Sequence, residues 1–356
     1  MGPEEALRQQ GEACAALGSP LYADLLARLA DDCAAGGPTA RVLAGHEDAP
    51  ASSALALRLV GSVHRLVLER RAGALGVFYP SVGGTWDPVA GPAAVVTLLD
   101  EQPEAVREWL DRPPQTNEVG RATALLGGLL HLDDALRLPV RLVELGCSAG
   151  LNLLADRFAV GDATGLVHGD PASGVRLEGG WAGRTLRPWP GLRFVARLGC
   201  DPRPIDPRST AGRLALTAYV WPDQEERRER LRGALAVASA ATPEEVPDVR
   251  RQPAGELLDD LELREGATTV VWHSVVRQYL DAGDQQHLDD RVAALGARAT
   301  PGSPLAHLTM EPRLERGAGT PGTFPVTLRT WSGRADDGRP RVLGHAAPHG
   351  LPTTWE

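Results

Sequence analysis

The chain contains no lysine: all 37 of its basic residues are arginine. That absence removes Schiff-base and pyridoxal-phosphate chemistry, and the phosphate-binding lysine of a Walker loop, from the range of activities. It also suggests a GC-rich genome. Cysteine is scarce too, with Cys14, Cys33, Cys147 and Cys200 far apart and no C-x-x-C pair. Neither a disulfide framework nor a zinc or other metal site is expected, and a reducing cytoplasm fits. No apolar run approaches the length of a membrane span, and the N-terminus MGPEEALRQQ is acidic and amphipathic. A soluble protein with no membrane partner is therefore expected. The formal net charge is -9, and arginine is dense only at Arg227, Arg228, Arg230 and Arg232. That pattern offers no footprint for a nucleic-acid backbone. Internal repeats and low-complexity tracts are also missing.

What is present is enough chain for two domains, at 356 residues. Leu7, Cys14 and Leu17, then Leu21, Leu25, Leu26 and Leu29, recur at helical spacing around the break Gly18-Ser-Pro20, which predicts a helical hairpin. Helical pattern continues over residues 52–71, 93–99, 103–110 and 117–136, the last opened by Thr116-Asn117 and stopped before Pro139. A helical N-terminal domain over residues 1–138 is the expectation.

From Val140 the texture changes. The apolar runs VRLVEL, RFVARLG, VPDVRRQ, TTVVWHS and LAHLTME alternate with mostly helical segments, which predicts βαβ units and a largely parallel sheet. TFPVTLRTW and RPRVLGH, separated by a turn-rich stretch at 333–338, read as a closing antiparallel hairpin. Within this second domain, 139–356, the Gly- and Pro-rich segment at about 159–191 carries Trp181 and Trp189 and is expected to be a lid or small hairpin.

The segment VELGCSAGLNL after Arg141-Leu142 admits two readings, both with a tight turn followed by a helix from near Ala149. One is a nucleophile elbow with Ser148 as an acylating serine, which needs an acid, a histidine and an oxyanion pocket. Asp201, Asp206, His273, His307, His345 and His349 lie downstream, but the turn closes the first strand of its domain, and the nearest oxyanion-like run is Gly83-Gly84. The other reading is a glycine-rich loop, Gly146, Ser148 and Gly150, cradling a nucleotide at the start of a helix. It gives a purpose to Glu144, a carboxylate that is costly to bury unless something such as a cofactor amine binds it. It also uses Asp201, which ends the second strand where a ribose acceptor usually sits.

ELGCSAG followed by GCDPRP resembles the first two cofactor motifs of class I S-adenosylmethionine-dependent methyltransferases, with serine in place of the middle glycine. More closely, Gln115-Thr-Asn-Glu-Val-Gly-Arg121, VELGCSAGLNLLADRF, Val220-Trp-Pro-Asp-Gln224, TTVVWHSVVRQYL and Ala347-Pro-His-Gly350 together resemble the bacterial domain-of-unknown-function family 2332, over most of the chain. The resemblance implies an α/β fold in which a helical N-terminal part precedes a Rossmann-like, methyltransferase-type sheet. It implies S-adenosylmethionine as cofactor. At the end of the third strand Gln252-Pro253-Ala254 stands where such proteins commonly carry Gly-Asp-Ala, leaving Gln252 to meet the adenine.

Around this loop, His273 at a strand's C-terminal end is the candidate general base; its alternative role is to bond the next helix's backbone through Ser274. Asn117, Glu118 and Arg121, with Trp181 of the insertion, are the candidates for holding substrate, although Glu118 also suits the positive end of an ordinary helix. Glu311 and His349 are further pocket candidates. The expected function is methyl transfer from S-adenosylmethionine to a small molecule. Three alternatives stay open: a methyltransferase-like fold performing another substitution, elimination or cyclisation on a small metabolite, a serine hydrolase using Ser148, and a non-catalytic binding protein.

Overall fold

The computed structural model describes residues 2–50, 53–112, 114–313, 324–334 and 337–356. Ser52, Thr323 and residues 335–336, which belong to an expected helix, strand and turn, lie outside the described residues. Two compact units are present, one made of Met1–Thr116 with Ser209–Glu229, the other of Asn117–Arg208 with Arg230–Glu356.

The first unit is helical: α1 (Pro3–Ala16), α2 (Pro20–Ala34), α3 (Pro38–Leu43), α4 (Leu55–Leu68), α5 (Ala90–Glu101) and α6 (Pro103–Arg107). Proline opens four of them, α1, α2, α3 and α6, where its missing N–H costs nothing. The expected periodicity puts Leu7, Cys14, Leu21, Leu25, Leu26 and Leu29 in one core with Leu59, Val63 and Leu66 of α4. The distant segment 209–229 joins this unit through a cap. Asp223 accepts Ser19 Oγ at 2.7 Å and Leu21 N at 3.0 Å, satisfying donors that the start of α2 leaves open.

Among its described residues the second unit carries α7 (Ala122–Leu130), two further helices at Ala254–Asp259 and Ala282–Gly296, and twelve strands: β1 (Val140–Leu145), β2 (Ala159–Asp162), β3 (Gly165–His168), β4 (Arg176–Leu177), β5 (Trp181–Gly183), β6 (Phe194–Asp201), β7 (Asp248–Arg251), β8 (Thr268–Ser274), β9 (Leu305–Met310), β10 (Phe324–Trp331), β11 (Arg341–Ala346) and β12 (Thr353–Trp355). Nine of them form one mostly parallel sheet in the order β5-β12-β11-β10-β9-β8-β1-β6-β7. The run β7-β6-β1-β8-β9 is parallel throughout. β10, β11 and β12 follow antiparallel, and β5 lies parallel to β12. The five expected strands and the closing hairpin are all present. β2, β3 and β4 make a separate small sheet, so the insertion divides between that sheet and the edge of the large one.

Two local expectations change. Across 117–136 the single expected helix is α7 flanked by 3-10 turns at Val119–Arg121 and Asp134–Leu136. After β1 the chain makes a 3-10 helix, Leu151–Arg157, because Gly150 is left-handed and Leu154 leaves helical backbone geometry. The unit boundary precedes Asn117 because α7 is tied to strands: Thr123 Oγ1 meets Thr353 Oγ1 at 2.9 Å, and Trp181 Nε1 donates to Thr123 O at 2.9 Å. Among the described residues, no helix is long and apolar enough to cross a membrane.

Candidate functional site

β1 is the strand at which the sheet order turns back. The chain places β6 and β7 on one side of it and β8 and β9 on the other, and ligands of open parallel sheets settle beyond the strand ends at such a point. Most of β1 is buried and apolar, as a central parallel strand requires. Glu144 breaks that pattern one residue before the strand ends.

Glu144 opposes Gly199 on β6 and Trp272 on β8. It is 4% exposed, and its Oε2 has no hydrogen-bond partner. Trp272 Nε1 and Asn152 Oδ1 are likewise buried without partners. Burial pushes the Glu144 carboxyl up to about 8, against the pull of nearby Asn152, Trp272 and the Arg121 charge. At neutral pH the group is therefore mostly protonated. Leaving such polar atoms unsatisfied costs about 1–3 kcal/mol each, and a polar or cationic ligand would remove that cost.

The loop beyond β1 holds three left-handed residues, Gly146 (φ 67), Ser148 (φ 52) and Gly150 (φ 71). Its backbone is largely satisfied from within the unit. Cys147 N donates to Cys200 O at 2.9 Å, Gly150 N to Cys147 O at 2.8 Å, and Ser148 O accepts Ile205 N at 3.2 Å. Asp201 Oδ2 takes Ser148 N at 3.0 Å and Oδ1 takes Arg203 N at 2.8 Å. A Cβ on Gly146 would stand 2.7 Å from Val276 Cγ2, and one on Gly150 would stand 2.8 Å from Val249 Cγ2. Both glycines are thus required by the loop's own packing. Gln252, just after β7, has its amide Nε2 buried without a partner.

Among the residues assigned to substrate, Asn117 Oδ1 accepts Leu151 N at 2.9 Å and so caps the 3-10 helix after the loop. Glu118 is buried; its Oε1 accepts Gly120 N at 3.1 Å and its Oε2 lies 3.6 Å from His349 Nδ1. Arg121 Nη1 donates to Ser274 O at 3.3 Å. Asn152 Nδ2 donates to Glu118 O at 3.2 Å, joining this group to the Glu144 cluster. Trp181 is buried in β5 with its indole N–H on Thr123 O.

His273 is 0% exposed and both its ring nitrogens are engaged: Nδ1 lies 2.6 Å from Glu311 Oε1, and Nε2 lies 3.1 Å from His307 Nε2. A carboxylate only accepts, so Nδ1 carries the proton and Nε2 takes the Nε2–H of His307. His307 Nδ1 is then a buried bare acceptor. Burial, reinforced by the nearby charges of Arg329 and Arg277, holds His307 well below the ordinary imidazole range. Glu311 also accepts Val276 N at 3.0 Å and Arg277 N at 3.3 Å. It fastens the turn in which Val275, a β-branched residue, adopts φ 57. That turn supplies Val276, the residue against Gly146.

Asn152 and Trp272 have places here that sequence reasoning did not assign, and His307, named there only as a possible partner of Ser148, instead meets His273. One signal was available for His307, a lone polar ring in the apolar strand LAHLTM. Which strand it would lie beside was not.

A family model described as "Uncharacterized protein conserved in bacteria (DUF2332)" matches residues 4–355. No curated protein and no solved structure matches the chain.

Proposed function

Starting from a chain that belongs to the DUF2332 family of bacterial proteins, we propose that it binds S-adenosylmethionine at the C-terminal ends of β1, β6 and β7 and methylates a small molecule. The observation that carries the reading is the lone buried carboxyl oxygen of Glu144 at the turning point of the sheet. An ammonium group, such as that on the methionine part of the cofactor, would satisfy it and return Glu144 to its ionised form. The other residues fit the same ligand. Asp201 uses one lone pair of each oxygen on backbone N–H groups and keeps others for ribose hydroxyls. Gln252 offers an unused amide donor to a base.

When bound, the cofactor supplies an electrophilic methyl group on sulfur. The chain's part is alignment: Glu144, Asp201 and Gln252 hold the two ends, and the loop 146–150 shapes the space between. His273, expected from sequence to be the base, is a positioning residue in this reading, since one ring nitrogen holds Glu311, which fastens the turn at Val275, and the other is taken up by His307. Calorimetric titration with S-adenosylmethionine and S-adenosylhomocysteine in buffers of different ionisation enthalpy tests the proposal. Micromolar binding with release of up to one proton near pH 7 is expected, weakened about tenfold or more and without proton release in Glu144→Gln. Absence of binding to well-folded protein overturns it.

A second reading keeps the fold but replaces methyl transfer with another substitution, elimination or cyclisation. The packing of Val276 and Val249 onto the loop glycines favours it, as does Pro253 after Gln252.

A further inference from the structure

The first unit holds a buried cation that forms no ion pair among the described residues. Helix α4 buries Arg58, Ser62 and Arg65 along one face. They satisfy carbonyls in and after α6: Arg58 Nη1 donates to Leu110 O, Ser62 Oγ to Val106 O at 2.8 Å and Arg65 Nη2 to Ala105 O at 2.7 Å. The ring of Tyr219 crosses α4 between the two arginines, its Cε1 2.7 Å from where a Cβ on Gly61 would stand. It stacks on Trp109 with centroids 5.9 Å apart, and the Arg65 guanidinium lies 4.9 Å from the Trp109 ring.

Charge within this cluster is uneven. Arg65 has Glu69 and Glu108 each at 3.4 Å. Arg58, 8% exposed, forms no ion pair among the described residues, and the Asp111 charge that acts on it through space sits on a side chain that is 87% exposed. Its Nε, the Tyr219 hydroxyl and the Arg65 Nε are all buried without hydrogen-bond partners. Burial pushes the Tyr219 phenol up to about 12, so it keeps its proton and can donate. Every one of these orphaned atoms can donate, and a buried charge is ordinarily paired. What Arg58 Nε and the Tyr219 hydroxyl lack is an acceptor bearing negative charge within hydrogen-bond reach.

We propose that Arg58 and Tyr219 form a binding site for the carboxylate of a small molecule. A carboxylate brings one negative charge to a guanidinium that has no ion pair of its own, and two oxygens for Arg58 Nε–H and Tyr219 O–H. A phosphate dianion would bring a second charge that nothing here is left to balance. Arg58 and Tyr219 keep 8% and 6% of their surface exposed, so the pair lies just beneath the surface of its unit.

Nuclear magnetic resonance of arginine Nε–H groups in the full chain tests this, with sodium acetate as the probe and acetamide and sodium chloride as controls. Arg58→Met identifies the Arg58 signal, and Tyr219→Phe keeps the ring packing in case the first variant folds poorly. The expected result is a saturable shift of the Arg58 signal with acetate alone, with affinity about tenfold weaker in Tyr219→Phe. An unmoved Arg58 signal, an equal response to acetamide or chloride, or undiminished affinity in Tyr219→Phe overturns the proposal.

Discussion

The carboxylate of Asp201 bridges two backbone N–H groups, Ser148 at 3.0 Å and Arg203 at 2.8 Å, and so joins the loop after β1 to the turn after β6. Asp201→Ala is expected to lower stability by about 2 kcal/mol, because both hydrogen bonds go to a charged acceptor. Asp201→Asn keeps one carbonyl oxygen and should lose about half as much. Urea unfolding of the two variants checks this; equal stability of Asp201→Ala and wild type would mean that the bridge contributes nothing.

Stability should peak near pH 6.5. The folded Glu144 carboxyl keeps its proton up to about 8, whereas the unfolded one releases it near 4.5, so stability falls as pH rises through that window. His64, lowered by burial to about 4, and His307, held well below 6.5, act in the opposite sense. The unfolded imidazoles accept protons near 6.5 that the folded ones refuse, so stability falls as pH drops below that value. Between 6.5 and 8 Glu144 acts alone among these three; below 6.5 the two histidines outweigh it. Denaturant midpoints measured from pH 5 to 9 should show the maximum, and Glu144→Gln should flatten the alkaline limb.

Gly150→Ala is expected to destabilise the fold by about 1–3 kcal/mol, from strain at φ 71 and from the contact with Val249. Any loss of ligand binding in a Gly150 variant must therefore be read beside its melting temperature. Wild-type stability in Gly150→Ala would show that the loop relaxes freely.

Removing His273 should act mainly on stability. His273→Ala strands the Glu311 and His307 side chains and opens a hole at a position that is 0% exposed. The expected loss is about 3 kcal/mol by thermal or urea unfolding. A fully stable variant would argue that the ring is held there for something other than the turn at Val275.

Much of the scaffold was legible because it is written locally. Leu21, Leu25, Leu26 and Leu29 repeat at helical spacing and face one core. VRLVEL and TTVVWHS, short apolar runs bounded by turn residues, are β1 and β8. Glu144 stood out for the same reason, as a carboxylate in a strand that is otherwise almost wholly buried and apolar.

The rest depended on residues far apart in the chain. Whether His273 met solvent or other protein was decided by β9 lying parallel beside β8, which brings His307 and Glu311 to it. That Asp201 holds the loop after β1 was decided by where Ser148 N came to rest. Residues 209–229 joined the helical unit because Asp223 caps a helix some two hundred residues earlier. Periodicity and turn chemistry alone determined which segments become helices and strands, and which residues are out of place in them. Only tertiary structure decided what each polar group touches, because a hydrogen bond is set by distances of a few tenths of an ångström between segments whose pairing no local pattern encodes.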